Sequence, residues 1–101
     1  MTWNGLKNMN VIEYNKNCKP SYIGRGEVLY CFGKKLLLSY GVPVILIDRR
    51  KKIHRLWDGY SRITGEHIKR FCGLSKEEYL ALPVEKSNDA FVNIAANYNL
   101  G

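Results

Sequence analysis

The chain reads as an α+β domain: an antiparallel β-meander of three to five strands with two or three short helices packed on one face. Three observations predict it. Strand-like runs rich in Val, Leu, Ile and Tyr fill residues 27–57, each stopped by Gly or by an Asp-led polar turn. Helix signals (a Ser/Thr cap, a capping box and a stop glycine) occur only after residue 60. Strands first and helices second is the order of an α+β fold, not of alternating βαβ units. At 101 residues the chain makes one domain, long enough to bury a single core without staples.

Residues 1–26 are polar and rich in Asn, Lys and Gly, and read as a loosely ordered N-terminal arm. Within it residues 11–14 form a short strand candidate. Cys18-Lys19-Pro20-Ser21 and Gly24-Arg25-Gly26 read as loops. Gly24-Arg25-Gly26 precedes a strand and lacks a following Lys-Ser/Thr, so it is no phosphate loop. Residues 27–32 are rich in β-formers and stop at Gly33. Residues 35–40 follow, with Gly33-Lys34 as a tight turn between them. The continuous apolar run 42–47 predicts a strand covered on both faces, with Pro43 tolerated near its start.

Asp48 then opens a polar turn, and residues 53–57 return as the second arm of a hairpin. Alternation sets Ile53, Arg55 and Trp57 on one face, and His54 and Leu56 on the other. Asp48 and Asp58 bracket this hairpin and supply turn chemistry.

Ser61 or Thr64 caps the first helix, with Glu66 in its first turn and Gly73 as its left-handed stop. Ile68, Phe71 and Leu74 give it an apolar face. Ser75-Lys76-Glu77-Glu78 is a capping box for a second helix that Pro83 ends. Residues 89–96 match a third helix or a strand equally well. The core set is Val28, Tyr30, Leu36, Leu38, Val44, Leu46, Ile53, Trp57, Ile68, Phe71 and Leu80.

Charge is the most informative feature for function. Residues 49–70 hold Arg49, Arg50, Lys51, Lys52, Arg55, Arg62, Lys69 and Arg70 against only Asp58 and Glu66, in a chain of formal net charge +7. The rest is almost neutral. A basic balance gathered in one segment predicts a surface that meets something negative. Phosphates fit, with Tyr40, Trp57 and Tyr60 near enough in sequence to stack on unpaired bases.

Other chemistries lack their residues. Ser61, Thr64 and His67 have no acid to orient the imidazole and no oxyanion loop, and capping explains the hydroxyls. No catalytic residue is assigned, and the protein is not expected to be an enzyme. His67 is expected to pack or bond locally in the first helical turn. His54 stands among cations, and the two histidines lack Cys or carboxylate pairs, so neither metal nor cofactor is expected. Cys18, Cys31 and Cys72 are odd in number and lack CxxC spacing. They read as small buried hydrophobes without a disulfide, which fits a reducing cytosol. No secretory signal is legible, and no apolar run is long enough to span a bilayer.

Leu38-Ser39-Tyr40-Gly41-Val42-Pro43-Val44, followed by Tyr60-Ser61-Arg62-Ile63-Thr64-Gly65-Glu66-His67-Ile68-Lys69-Arg70-Phe71, resembles a family of small bacteriophage and prophage proteins of uncharacterised function. The resemblance covers about a third of the chain. This sequence has Ile63 where the family has Thr. The resemblance implies a phage-like origin, a setting in the host cytoplasm and an accessory role.

Two functional classes follow. The first is a basic accessory protein that binds nucleic acid or a nucleoprotein complex through the 49–55 hairpin and the helix after Tyr60. The second is a protein-binding inhibitor of a host or defence protein, anti-CRISPR-like, whose hairpin meets an acidic surface without catalysis.

Overall fold

A computed structural model of the chain describes residues 16–98. The sheet has five strands: β1 (Cys18–Ile23), β2 (Gly26–Cys31), β3 (Lys34–Ser39), β4 (Val42–Ile47) and β5 (Ile53–Arg55). Each pairs antiparallel with the next, in the spatial order β1-β2-β3-β4-β5. Three short helices follow: α1 (Arg62–Cys72), α2 (Lys76–Ala81) and α3 (Ala90–Tyr98). This is the α+β meander that the sequence predicts, and residues 90–98 resolve as helix.

The first three hairpins close through two-residue loops, pairing Ile23 with Gly26, Cys31 with Lys34 and Ser39 with Val42. Phe32-Gly33 and Tyr40-Gly41 both have positive φ at both central residues, 53° and 78°, then 54° and 79°. That is the type I′ pattern, whose twist matches the flanking strands. Glycine takes the second position at no steric cost, and Phe32 and Tyr40 occupy the first.

Between β3 and β4 the register slips: Leu37 faces Ile45, but Leu38 faces Pro43. Val44 is the extra residue of this bulge. Val44 and Ile45 therefore both join the same buried cluster although adjacent in sequence.

The helices do not share one face, which corrects the expected layering. Leu29, Leu36, Leu38 and Leu46 pack with Phe91, Val92 and Ala95 of α3. Val28, Leu37 and Ile45 pack with Ile68 of α1 and Tyr79 of α2. The cause is visible in β3, where Leu36, Leu37 and Leu38 are consecutive and all buried. A strand apolar at both parities needs cover on both sides. Tyr30 and Leu80, expected in the core, are each 44% exposed. Leu37 and Tyr79, both fully buried, fill the places that parity and helix phase assign instead.

The N-terminal region also departs from expectation. Cys18–Ile23 is an edge strand and not a loop, so the arm is ordered at least from there. The strand expected at residues 11–14 lies outside the described residues. Cys18 and Cys31 face each other across β1 and β2 and are joined in a disulfide, contrary to the expectation of none. Sequence spacing hides such a pair because the strand pairing, not the spacing, brings it together. Both sulfur-bearing residues are buried against α3's cluster, and Cys72 is the free cysteine among the described residues.

The helix boundaries follow the sequence signals closely. Ser61 Oγ accepts from the Thr64 N–H at 3.1 Å, and Gly73 caps α1 in the left-handed region. Glu66 lies one turn deeper than expected because α1 begins at Arg62. The Ser75–Glu78 capping box is complete in both directions. At α3's start Asp89 binds the Lys34 ammonium at 2.9 Å, tying the helix to β3.

Arg55 organises the segments that lack regular structure. It is 6% exposed. Its side chain donates to the carbonyls of Trp57 (2.9 Å), Asp58 (3.1 Å), Leu80 (3.3 Å) and Leu82 (3.0 Å). Its guanidinium lies 4.5 Å from the centroid of the Tyr79 ring. The Tyr79 hydroxyl then donates to the carbonyls of Trp57 and Gly59. An ammonium cannot span those four carbonyls as the planar guanidinium fork does. Arg55→Lys should therefore lower unfolding stability by about 2–4 kcal/mol in a urea titration, through stranded carbonyls. A loss below about 0.5 kcal/mol would show that the clasp is incidental.

Candidate nucleic-acid interface

In a meander, successive turns alternate between the two ends of the sheet. The β2–β3 and β4–β5 turns share one end, and the β1–β2 and β3–β4 turns share the other. Six-residue strands separate the ends by about 20 Å. The basic residues gathered in sequence fall into two groups on this frame.

The first group is the tip of the β4–β5 hairpin. Arg49, Arg50, Lys51 and Lys52 are all exposed there. Arg49 donates from Nε to the Phe32 carbonyl at 2.7 Å, which fastens its stem to the neighbouring β2–β3 turn. The turn itself is built by Asp48. Its carboxylate accepts from the backbone N–H groups of Arg50 (2.8 Å) and Lys52 (3.0 Å). Lys51, with φ of 69°, donates its N–H to the Asp48 carbonyl. These bonds use only main-chain atoms of the basic residues, so their side chains are not needed to form the turn.

Asp48 is also bound to His54, whose two ring nitrogens lie 2.8 Å from Asp48 and 2.9 Å from Glu85. The His54 bond, with the N–H groups of Lys52 and Arg50, holds the Asp48 carboxyl down at about 2. The hydrogen bond to Asp48, then that to Glu85, raises the His54 pKa above its ordinary 6.5. This histidine, expected to stand among cations, is instead flanked by two carboxylates. Among the described residues no group of three or more His, Cys, Asp or Glu is arranged to hold a metal.

The second group lies at the opposite end, around a cleft of about 590 Å³ between α1 and the β1–β2 and β3–β4 turns. Arg25, Lys69 and Arg70 line it, with Glu66 as its one carboxylate. Lys69 and Arg70 therefore do not extend the hairpin patch, because α1 packs over β1, β2 and β3 instead of beside the hairpin. Arg62 is exposed on the outer side of α1 and shares a shallower depression with Lys69.

Three candidates leave the site. Arg55 is buried, with four of its five N–H donors on main-chain carbonyls, so it faces the interior and not a phosphate. Tyr60 is half-buried, with its ring 6.0 Å from that of Tyr79 and the Lys76 ammonium over its face at 5.2 Å. Trp57 packs on the α1 and α2 cluster, with Gly59 folded against its ring. Tyr40, 57% exposed at its turn, is the stacking candidate that remains accessible.

The floor of the cleft was not legible in the sequence. His67 is 4% exposed, and its Nδ1 lies 3.0 Å from Ser39 Oγ, which lies 2.9 Å from Thr64 Oγ1. His67 thus bonds across to β3 instead of locally. Gly26 lets the ring lie flat on β2: a Cβ there would come within 3.0 Å of it. The i, i+3 spacing of Thr64 and His67 signalled a shared helix face, and Ser39 is the lone hydroxyl in an apolar strand. Only the packing of α1 on β3 joins them. Arg25 was missed because it sits in a turn between two glycines.

The chain belongs to a family of unknown function, DUF8033, whose model matches residues 8–86. The matched span contains the whole sheet, α1, α2 and both basic groups, and ends before α3. No curated protein and no solved structure matches the chain.

Two outcomes follow from these bonds. Because its folded pKa is raised, His54 contributes stability that is full below pH 6.5 and is lost as pH rises through the raised value. The urea midpoint should fall between pH 6 and pH 8, and His54→Gln should flatten that fall. An equal slope in the variant would assign the pH dependence elsewhere. Ser39→Ala strips partners from Thr64 and His67 and should cost about 1–3 kcal/mol by the same titration.

Proposed function

We propose that the protein is a small basic accessory protein, of the kind phages encode, that binds nucleic acid or a nucleoprotein complex without catalysis. The observation that carries this reading is the set of cations with no structural duty. The hairpin turn is made by Asp48 and main-chain atoms, and the salt bridges among the described residues involve only Lys34 and His54 as cationic partners. Arg50, Lys51, Lys52, Arg62, Lys69 and Arg70 face solvent without a carboxylate partner among the described residues. Cations left uncompensated at two ends of one sheet suit a partner whose negative charge is repeated along its length, as a phosphate backbone's is.

The setting in this reading is the cytoplasm, the host's where the protein is phage-encoded. No helix among the described residues is long and apolar enough to cross a membrane.

The test uses a triple variant, Arg50→Gln, Lys51→Asn and Lys52→Gln, with Asn chosen for the positive φ at position 51. Its urea midpoint should equal that of the wild type. Its affinity for duplex DNA, measured by anisotropy at two salt concentrations, should fall at least ~10-fold at low salt, and its salt slope should shrink by about 2–3. Unchanged affinity and slope would remove the hairpin from the interface. Failure of the wild type to bind DNA or RNA at low salt would turn the reading to the second class, a protein partner with an acidic surface.

A further inference from the structure

The cleft between α1 and the β1–β2 and β3–β4 turns has a composition that the hairpin lacks. Its long cationic side chains, Arg25, Lys69 and Arg70, come from two elements that are distant in sequence. Arg25 stands on the two-residue loop after β1, and the Arg70 guanidinium reaches the same loop, lying 3.5 Å from where a Cβ on Gly24 would be. The rest of the lining is the Glu66 carboxylate, the His67 ring and two exposed apolar side chains, Tyr40 on its type I′ turn and Ile63 on α1, 57% and 47% exposed. The Tyr40 and His67 ring centroids are 6.3 Å apart and their planes are tilted by 47°, so the rings form a corner and not a stack. The outer face of Tyr40 is thus left open. Its volume of about 590 Å³ falls in the range of small-ligand sites.

We propose that this cleft holds one unpaired nucleotide of a single-stranded nucleic acid, its phosphate on Arg25, Lys69 and Arg70 and its base against Tyr40. The assignment rests on the nucleic-acid reading above and adds a strand preference to it. Guanidinium forks match phosphate oxygens in pairs, while an ammonium adds a point charge. A ring held on a two-residue turn is a stacking platform that needs little ordering on binding. A base inside a duplex is already stacked on its neighbours and cannot reach that ring, so the contact selects single strands. The hairpin, which has cations but no accessible aromatic of its own, binds phosphates without that selection.

The experiment is anisotropy titration of labelled dT12 and of a 12-base-pair duplex. The proteins are the wild type, Tyr40→Asn and the double variant Arg25→Gln, Arg70→Gln. Asn tolerates the positive φ at position 40, and a urea midpoint checks that each variant folds. Tyr40→Asn should weaken dT12 binding by ~10-fold or more and leave duplex binding unchanged. The double variant should weaken dT12 binding and reduce its salt slope by about 1–2. In wild-type protein, dT12 should shift the NMR signals of His67 and Gly26 on the cleft floor.

Wild-type affinity for dT12 in Tyr40→Asn overturns the cleft assignment while leaving the general reading standing. Equal loss for dT12 and duplex also overturns it, because stacking would not then be selecting. Thymidine 5′-monophosphate binding as tightly as dT12 overturns the strand in favour of a free nucleotide. Failure of wild-type protein to bind either oligonucleotide or an RNA 12-mer overturns both the general reading and the cleft.

Discussion

The buried guanidinium of Arg55 is the interaction on which most of the remaining structure depends. After β5 the chain runs through residues 56–61 without regular hydrogen bonding, and after α2 it does so again. Buried carbonyls in such segments need donors. One side chain supplies them on both segments at once, reaching Trp57 and Asp58 on one and, on the other, Leu82 together with the carbonyl of Leu80 in the last turn of α2. Its main-chain carbonyl adds a third tie by accepting from the Glu85 N–H at 2.7 Å. An ionised group with only neutral acceptors is costly to bury, and the Tyr79 face at 4.5 Å recovers part of that cost. The consequence for function is positional. The loop ending at Ser61 is where α1 starts, so Arg55 sets where Thr64 and His67 meet Ser39.

The second constraint is topological. A run of three buried leucines in β3 forces cover on both sides of the sheet, and α3 takes the side that α1 and α2 leave. With α1 committed to β1, β2 and β3, Lys69 and Arg70 arrive at the β1–β2 turn, and Arg62 does not. A meander places that turn a strand length from the hairpin tip. The two basic groups, continuous in sequence, are thereby held apart. Separation of this kind excludes a compact anion as the common ligand of both. It is compatible with a polymer that runs along the domain.

Much of this is legible in the sequence. The limits of β4, the Ser75 capping box and the Gly73 stop are local decisions, taken by a few adjacent residues, and the sequence shows them directly, whereas the last strand, expected over residues 53–57, ends at Arg55 and the turn expected at Gly33-Lys34 lies at Phe32-Gly33. The exposure of Arg49, Arg50, Lys51 and Lys52 was legible for the same reason, since a polar turn opened by Asp48 needs nothing distant. What failed was everything decided by pairing. Cys18 and Cys31 are 13 residues apart, and only the β1–β2 register makes them partners. Arg55 looked like one more cation because its acceptors are carbonyls, which every residue possesses. Trp57 and Tyr60 looked free to stack because the neighbours that cover them, Gly59 and Tyr79, are revealed only by the fold.

The cleft joins these two kinds of information. Its cations are long, flexible and solvent-exposed, and such groups alone attract anions without fixing them. Its floor is the opposite: an imidazole held by a serine that is itself held by a threonine, with Gly26 removing the side chain that would lift the ring away. A fully bonded polar cluster beneath a surface fixes the helix above it to the strand below. The backbone positions that carry Arg25, Tyr40 and Arg70 are thereby set relative to one another, although no two of the three are near in sequence. That arrangement distinguishes a site from a patch. In the proposed reading the hairpin tip offers charge alone, whereas the cleft sets exposed apolar side chains beside cations and one carboxylate, so that shape as well as charge would decide what it holds.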